Sequence, residues 1–220
     1  MVEDYRKDRI LIEATRIISE TGYQNTEMAN IAAAAGVTTS LIYSHNFFIN
    51  KLDLLLSIVL NFWLSLNNQV DERIGTDTNP CERMDQILNI CNEMLIDKDG
   101  GIYLAKVLHE PLPHLNTIKD NELIEKRKQI STEHKKILNI LDATIKDGQK
   151  KGIFDNTLTP SILRKTLYGA FGFLLYDAFF NVSGKEKDDI LKVMKKLLEK
   201  FLLTRYHHHL IMHPMRFWGA

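Results

Sequence analysis

The chain has 220 residues, of which 45% are apolar and 25% are charged, with 28 basic and 28 acidic side chains. These proportions are ordinary for a folded globular protein. A net charge of zero excludes a general electrostatic attraction to nucleic acid or to an anionic membrane, so any such attraction must be local.

The cysteines and the N-terminus predict a reduced protein of the cytoplasm. Cys81 and Cys91 match neither a CxxC motif nor the spacing of a shared metal site, so we expect reduced thiols. The charged N-terminus has no apolar core of signal-peptide length. The most apolar stretch, residues 167–180, contains Asp177 and is too short to span a bilayer. We therefore expect neither secretion nor membrane insertion.

Helical periodicity dominates the N-terminal part of the chain. A first helix is indicated by an apolar stripe that ends before Gly22, formed by residues 10, 11, 14, 17 and 18. Thr26 is expected to cap a second, alanine-rich helix. Gly36 ends that helix, since glycine accepts a left-handed turn without penalty. Thr38 is expected to cap a third, short helix that runs to about Ser44.

The rest of the chain predicts further amphipathic helices. A fourth helix begins at Lys51 and ends near the turn-forming residues 75–80. Glycines and prolines then bound helices over residues 80–97, 102–108, 120–151 and 160–181. A last amphipathic helix is indicated over residues 188–203. No segment alternates convincingly with a period of two, so we predict an all-α protein of about nine helices.

The order of helix, Gly36, Thr38 and short helix is that of a helix-turn-helix. It lies in TEMANIAAAAGVTTSLIYSH, where the small side chains of residues 32–35 would let the two helices approach closely. The short helix presents donors and acceptors of medium length, which suit base edges and phosphates in a major groove. An ordinary helical corner is an equally good interpretation of these residues alone.

Three segments in this part of the chain are RILIEATRIISETGY, GYQNTEMANIAAAAGVTTSLIYSH and NKLDLL. Over residues 6–56 they resemble the DNA-binding end of the tetracycline-repressor (TetR) family of bacterial transcription regulators. The resemblance implies a helix-turn-helix domain over residues 1–51 and a helical domain for ligand binding and dimerisation over residues 52–206. It also implies a homodimer on palindromic DNA. The tail over residues 207–220 is interpreted as a ragged terminus or a remnant of cloning.

The resemblance assigns DNA contacts by position. Thr26 and Lys51 begin the second and fourth helices and would meet phosphates, because free backbone N–H groups point outward there. The recognition-helix positions and the residue that follows them would face the operator: Thr38, Thr39, Ser40, Tyr43, Ser44 and His45.

The stretch after the recognition helix departs from the family pattern, Tyr-x-His-Phe-x-x-Lys. Tyr43 and Lys51 are eight positions apart, where the family has six. Aligned from Lys51, Phe48 takes the position of the family's core aromatic and Asn46-Phe47 becomes an insertion. We predict that Phe48 is wedged between the recognition helix and the fourth helix, and that Phe47 is partly exposed near the DNA face.

Aromatic side chains mixed with isolated polar ones in the C-terminal helices are typical of a ligand cavity, although each residue taken singly is better explained as core. The candidates are Phe62, Trp63, Tyr103, His109, Phe171 and Tyr176. The expected effector is a hydrophobic or amphipathic molecule, such as an acyl or aromatic compound. Helices 160–181 and 188–203 are expected to form the dimer interface, and tight packing within one subunit is an equal alternative.

The resulting prediction is a ligand-responsive regulator of transcription, a repressor that a small hydrophobic effector releases from its operator. The alternative is a helical ligand-binding or adaptor protein with weak or lost DNA binding. The near-neutral N-terminal domain and the insertion favour that alternative. No glycine-rich phosphate loop, GxSxG or HExxH motif is present, so we expect no catalytic residue, no metal and no cofactor.

Overall fold

The structure is a computed structural model that describes residues 2–44, 47–75, 78–97, 100–109 and 119–181, together with 192–193 and 195–196. Within these ranges the chain is helical and forms no β-sheet, which confirms the predicted all-α fold. A π-helical turn, Glu93–Asp97, follows the fifth helix. The α-helices are α1 Val2–Thr21, α2 Met28–Ala34, α3 Thr39–Ser44, α4 Lys51–Arg73, α5 Pro80–Asn92, α6 Gly101–His109, α7 Asn121–Lys150 and α8 Pro160–Asn181.

The chain forms two compact units. The first consists of residues 1–72 and 90–136, and the second of residues 73–89 and 137–220. Most of the predicted ninth helix and the whole tail, residues 207–220, lie outside the described residues. None of the helices in the described ranges is both long and apolar enough to cross a membrane. The predicted domain boundary after residue 51 stays a prediction.

One hydrophobic core joins α1, α2, α3, α4 and α6 in the first unit. The predicted stripe of α1 is buried, and Ile10, Ala14 and Ile18 are fully so. The other helices supply large aliphatic side chains to the same cluster: Ile31, Ile42, Leu54, Leu55, Ile58 and Val107. The helix-turn-helix is therefore mounted on the same core as the start of α4 and the end of α6.

The turns between the first helices follow three of the four predicted signals. Gly22 and Gly36 adopt positive φ angles of 79° and 67°, as expected of glycines that end helices. Thr38 caps α3, because its Oγ1 accepts the backbone N–H of Leu41 at 3.1 Å. The predicted cap at Thr26 is wrong. Glu27 occupies that position without a side-chain cap, and the buried Thr26 hydroxyl donates instead to the Gly22 carbonyl at 2.9 Å.

The second unit has its own core, formed by the end of α7 and by residues of α5 and α8. The fully or nearly buried members of this core are Met84, Leu88, Ile145, Phe154, Leu163 and Leu167. Arg164 on α8 donates a hydrogen bond from Nε to Asp142 Oδ1 on α7 at 2.7 Å. Gly152, with φ at +67°, follows the end of α7, as the sequence predicts.

Gly148 lies where α7 passes closest to the Phe154 ring. A Cβ atom at this position would lie 2.2 Å from Phe154 Cδ2. We expect Gly148→Ala to lower the free energy of unfolding by up to about 2 kcal/mol net, because overpacking a core costs about 1–3 kcal/mol. That cost exceeds the roughly 1 kcal/mol gained from the better helix propensity of alanine.

Urea denaturation of the wild type and of Gly148→Ala checks this expectation. The matched control is Lys146→Ala, which changes an exposed position two residues away on α7. The control is expected to stay within about 0.5 kcal/mol of the wild type. A Gly148→Ala protein as stable as the wild type would mean that Phe154 does not pack against this position.

Candidate DNA-binding surface and ligand region

The two helices of the helix-turn-helix approach each other over small side chains. Ala32 and Ala35 are almost fully buried, at 2% and 1% exposure, which agrees with the close approach expected from the alanine run. The turn is closed by backbone hydrogen bonds from Gly36 N–H to Ala33 O at 3.1 Å and from Val37 N–H to Ala32 O at 2.9 Å. The position of α3 relative to α2 is therefore well defined by packing and hydrogen bonding.

The outward face of α3 is polar. Ile42 is fully buried and anchors the helix on the core. Thr38, Ser40 and Tyr43 are exposed to solvent, and Tyr43 is 41% exposed. Thr39 is half-buried. Ser40 and Tyr43 are three residues apart, which places them on one side of the helix. We call the exposed set Thr38, Ser40 and Tyr43 the α3 surface. The side chain of Ser44 and all of His45 lie outside the described residues.

The Lys51 side chain binds the backbone of the turn between α1 and α2. Its Nζ donates to the carbonyl oxygens of Tyr23, Gln24 and Thr26 at 2.8, 3.2 and 2.8 Å. The ammonium group also lies 4.6 Å from the centroid of the Tyr23 ring. Burial raises the pKa of the Tyr23 phenol, so the ring stays neutral beside this cation.

These contacts count against direct phosphate binding by two of the predicted residues. A lysine ammonium has three donors, and the three carbonyl oxygens occupy those of Lys51. The Thr26 hydroxyl is buried and bonded to Gly22 and Thr21. The phosphate contacts assigned to Thr26 and Lys51 therefore stay predictions, and their side chains have structural roles that sequence reasoning missed.

The apolar residues that follow α3 differ in burial, and Phe47 and Phe48 have the burial predicted for them. Phe48 is 1% exposed and belongs to the core of the first unit, which confirms it as the core aromatic. Phe47 is half-buried and packs against the same core. Ile49 is 44% exposed, and its backbone N–H donates to Asp53 Oδ2 at 2.9 Å. The segment after the recognition helix is thus anchored by one aromatic ring and by one carboxylate.

Two of the predicted ligand residues lie together on α4. The Phe62 and Trp63 rings meet edge to face at 4.8 Å, and the Trp63 ring lies 4.5 Å from the His134 ring on α7. Nearby, the amide nitrogen of buried Asn67 donates to the backbone oxygen and Oε2 of Glu133 at 3.0 and 2.7 Å. Within the described part of the chain, Asn67 Oδ1 is buried without a hydrogen-bond partner.

Three of the other four candidates have side chains that the structure describes. Tyr103 is half-buried on α6, and exposed His109 places Nδ1 2.9 Å from its own helix carbonyl at Ala105. Phe171 packs against the core of the second unit. The side chain of Tyr176 lies outside the described residues. The ligand role of all six residues stays a prediction.

Neither a metal-binding cluster of side chains nor a reactive thiol is found in the ranges that the structure describes. No group of three or more His, Cys, Asp or Glu side chains there could hold a metal ion. Cys81 and Cys91 are both free, and burial raises the pKa of the Cys91 thiol to about 12. A buried thiol of this kind is inert rather than nucleophilic.

Comparison with known proteins bears on the N-terminal helices first. Residues 10–58 match the family model described as "Bacterial regulatory proteins, tetR family". The chain is also 25% identical over 200 residues to the fatty acid metabolism regulator protein of Bacillus subtilis (strain 168). That match covers 91% of this chain and 95% of the relative.

Solved structures share the fold along most of the chain. AibR in complex with isovaleryl coenzyme A and operator DNA superposes with a TM-score of 0.67 at 23% identity, over 87% of this chain and 97% of that one. FadR from Bacillus subtilis in complex with stearoyl-CoA gives a TM-score of 0.62 at 22% identity, over 84% and 96%. The first relative is a regulator of fatty acid metabolism, and FadR is a transcriptional regulator. Residues 10–58 therefore resemble the tetR family of bacterial regulatory proteins, and the chain shares its fold with AibR and FadR.

Proposed function

We propose that the protein is a homodimeric repressor of transcription that an acyl-coenzyme A thioester releases from a palindromic operator. The observation that carries the proposal is the polar α3 surface, mounted on a buried core within a segment that matches the tetR regulators. Its hydroxyl groups suit hydrogen bonding to base edges and phosphates. The regulator would act in the cytoplasm, with residues 1–51 as its DNA-binding domain and residues 52–206 as its effector and dimerisation domain.

The effector class is suggested by the relatives and by the ring cluster on α4. One solved relative holds stearoyl-CoA, another holds isovaleryl coenzyme A with operator DNA, and the Bacillus subtilis relative is a regulator of fatty acid metabolism. Phe62 and Trp63 would pack against an acyl chain. The unpartnered Asn67 Oδ1 would accept a hydrogen bond from an amide N–H, a group that the pantetheine arm of coenzyme A carries.

The outer face of α8 supports dimerisation. Ile162 and Phe173 are 48% and 68% exposed, and Gly169 lies between them with open space around its Cβ position. Positions 162, 169 and 173 share one face of a helix, since seven and eleven residues correspond to about two and three turns. A face with exposed apolar side chains and a glycine that admits close approach is typical of a helix that packs against a second copy.

Native mass spectrometry of the purified protein tests the assembly and the effector class. We expect a dimer that binds stearoyl-CoA or isovaleryl-CoA at one molecule per subunit, with free coenzyme A as the control. Saturating thioester that leaves the mass of the dimer unchanged would contradict the proposed effector class. Binding of thioester without any DNA binding would favour a helical ligand-binding protein instead.

A further inference from the structure

The segment that joins α3 to α4 is held by a reciprocal arrangement at the start of α4. Asn50 Oδ1 accepts the backbone N–H of Asp53 at 2.9 Å, and the Asp53 carboxylate accepts the backbone N–H of Ile49 through Oδ2 at 2.9 Å. The pattern is close to a capping box, in which the cap and the third helical residue satisfy each other. Asp53 thus fixes the chain immediately beyond the core aromatic Phe48.

The second oxygen of the same carboxylate is held from α7. Lys126 Nζ forms an ion pair with Asp53 Oδ1 and donates a hydrogen bond to Ser57 Oγ at 2.9 Å. Ser57 in turn donates to the Asp53 carbonyl at 2.8 Å. The Asp53 side chain is only 6% exposed and that of Lys126 is 25% exposed. A carboxylate so deeply buried requires a charged partner, because isolated burial of the ion is costly.

Side chains of the first turn of α4 therefore bind the backbone both before α2 and after α3. Lys51 binds the carbonyls of the turn between α1 and α2, and Asp53 binds the backbone of the segment after α3. All of these residues, and Lys126, belong to the first compact unit. A displacement of α7 at residue 126 would be transmitted to the backbone of Ile49 through the Asp53 carboxylate.

We propose that the ion pair between Lys126 and Asp53 is a latch that couples α7 to the position of the recognition helix. The inference rests on the proposed function and states how effector binding would alter the DNA-binding surface. Effector binding that shifts α7 would move or break the ion pair. The buried Asp53 carboxylate would then no longer accept the backbone N–H of Ile49. Such a latch would need two discrete arrangements, as coupling between two sites requires.

The test compares how strongly stearoyl-CoA weakens operator binding in the wild type and in latch variants. The operator is a duplex selected by the wild-type protein from a random DNA library. The measured quantity, the coupling factor, is the ratio of the operator Kd with stearoyl-CoA to the Kd without it. Lys126→Met removes the cation, and Asp53→Asn removes the anion but keeps an oxygen to accept the Ile49 N–H. Lys128→Met is the control, since Lys128 is exposed and pairs with Glu125 of its own helix.

We expect a wild-type coupling factor of about 5–150, the usual range for coupled sites. Lys126→Met and Asp53→Asn should each reduce it at least about fivefold, and the double variant no further, because both remove one interaction. Lys126→Arg, which keeps the charge, should restore most of the coupling, and Lys128→Met should leave it unchanged. A merely structural role would lower the melting temperature without changing the coupling factor.

The latch is overturned if both single variants bind stearoyl-CoA and operator with a coupling factor within about twofold of the wild type. If Lys126→Met fails to fold, the near-isosteric Asp53→Asn decides the question. A wild type whose operator Kd changes with neither stearoyl-CoA nor isovaleryl-CoA would instead refute the proposed function, and the latch with it. The coupling factor of the wild type alone distinguishes a failure of the latch from a failure of the proposed function.

Discussion

Phe48→Ala is expected to lower the free energy of unfolding by about 3–5 kcal/mol, the usual cost of removing a large aromatic side chain from a core. Phe48 is 1% exposed and lies in the cluster that joins α1, α2, α3, α4 and α6. Its removal leaves a cavity in this cluster. Urea denaturation followed by far-UV circular dichroism measures the effect.

The matched control is Ile49→Ala at the next position in the chain. Ile49 is 44% exposed, so its truncation should cost no more than about 0.5 kcal/mol, as for most surface substitutions. Phe47→Ala should fall between the two, because Phe47 is half-buried against the same core. A larger loss at Ile49 than at Phe48 would show that the aromatic anchor after α3 is assigned to the wrong residue.

Tyr43→Ala and Ser40→Ala are each expected to weaken operator binding by about 1–3 kcal/mol, or roughly 5–150-fold, the range for a lost contact to a base. Both residues lie on the exposed side of α3, opposite the fully buried Ile42. Their truncation should therefore leave the free energy of unfolding within about 0.5 kcal/mol of the wild type. Fluorescence anisotropy with the selected duplex measures the affinity.

Tyr5→Ala provides the control for a surface tyrosine. Tyr5 lies on α1 and is 64% exposed, and it is outside the α3 surface. We expect it to leave the operator Kd unchanged, whereas Tyr43→Phe should show how much of the Tyr43 effect belongs to its hydroxyl. Full operator affinity in both the Tyr43→Ala and the Ser40→Ala proteins would place the DNA-binding surface elsewhere.

Local signals in the sequence predict the helices well. The helix expected over residues 120–151 is observed as Asn121–Lys150, and that over 160–181 as Pro160–Asn181. These boundaries follow from glycine, proline and capping residues, whose conformational preferences act within a few positions. The helix expected over residues 80–97 is interrupted, since its last five residues adopt π-helical geometry. A single π-turn is too short to be detected from the periodicity of apolar residues.

The polar contacts of the site could not be predicted in the same way, because they join distant parts of the chain. Lys126 reaches Asp53 across 73 positions, and Lys51 reaches Tyr23 across 28. The family pattern predicts that Lys51 binds a phosphate. In the folded protein its ammonium group donates to three backbone carbonyl oxygens instead. Thr26 fails as a cap for a related reason, since the turn after Gly22 draws its hydroxyl inward.

The central claim is that one protein binds a specific operator and releases it when an acyl-coenzyme A thioester binds. The most direct test is fluorescence anisotropy of the selected duplex, titrated with protein in the presence and absence of stearoyl-CoA. We predict a Kd of about 10⁻⁸–10⁻¹¹ M at physiological salt without the thioester. The Kd should rise by about 5–150-fold with stearoyl-CoA and stay constant with free coenzyme A. Failure to enrich any duplex at low salt, or an operator affinity that stearoyl-CoA leaves unchanged, would contradict the account.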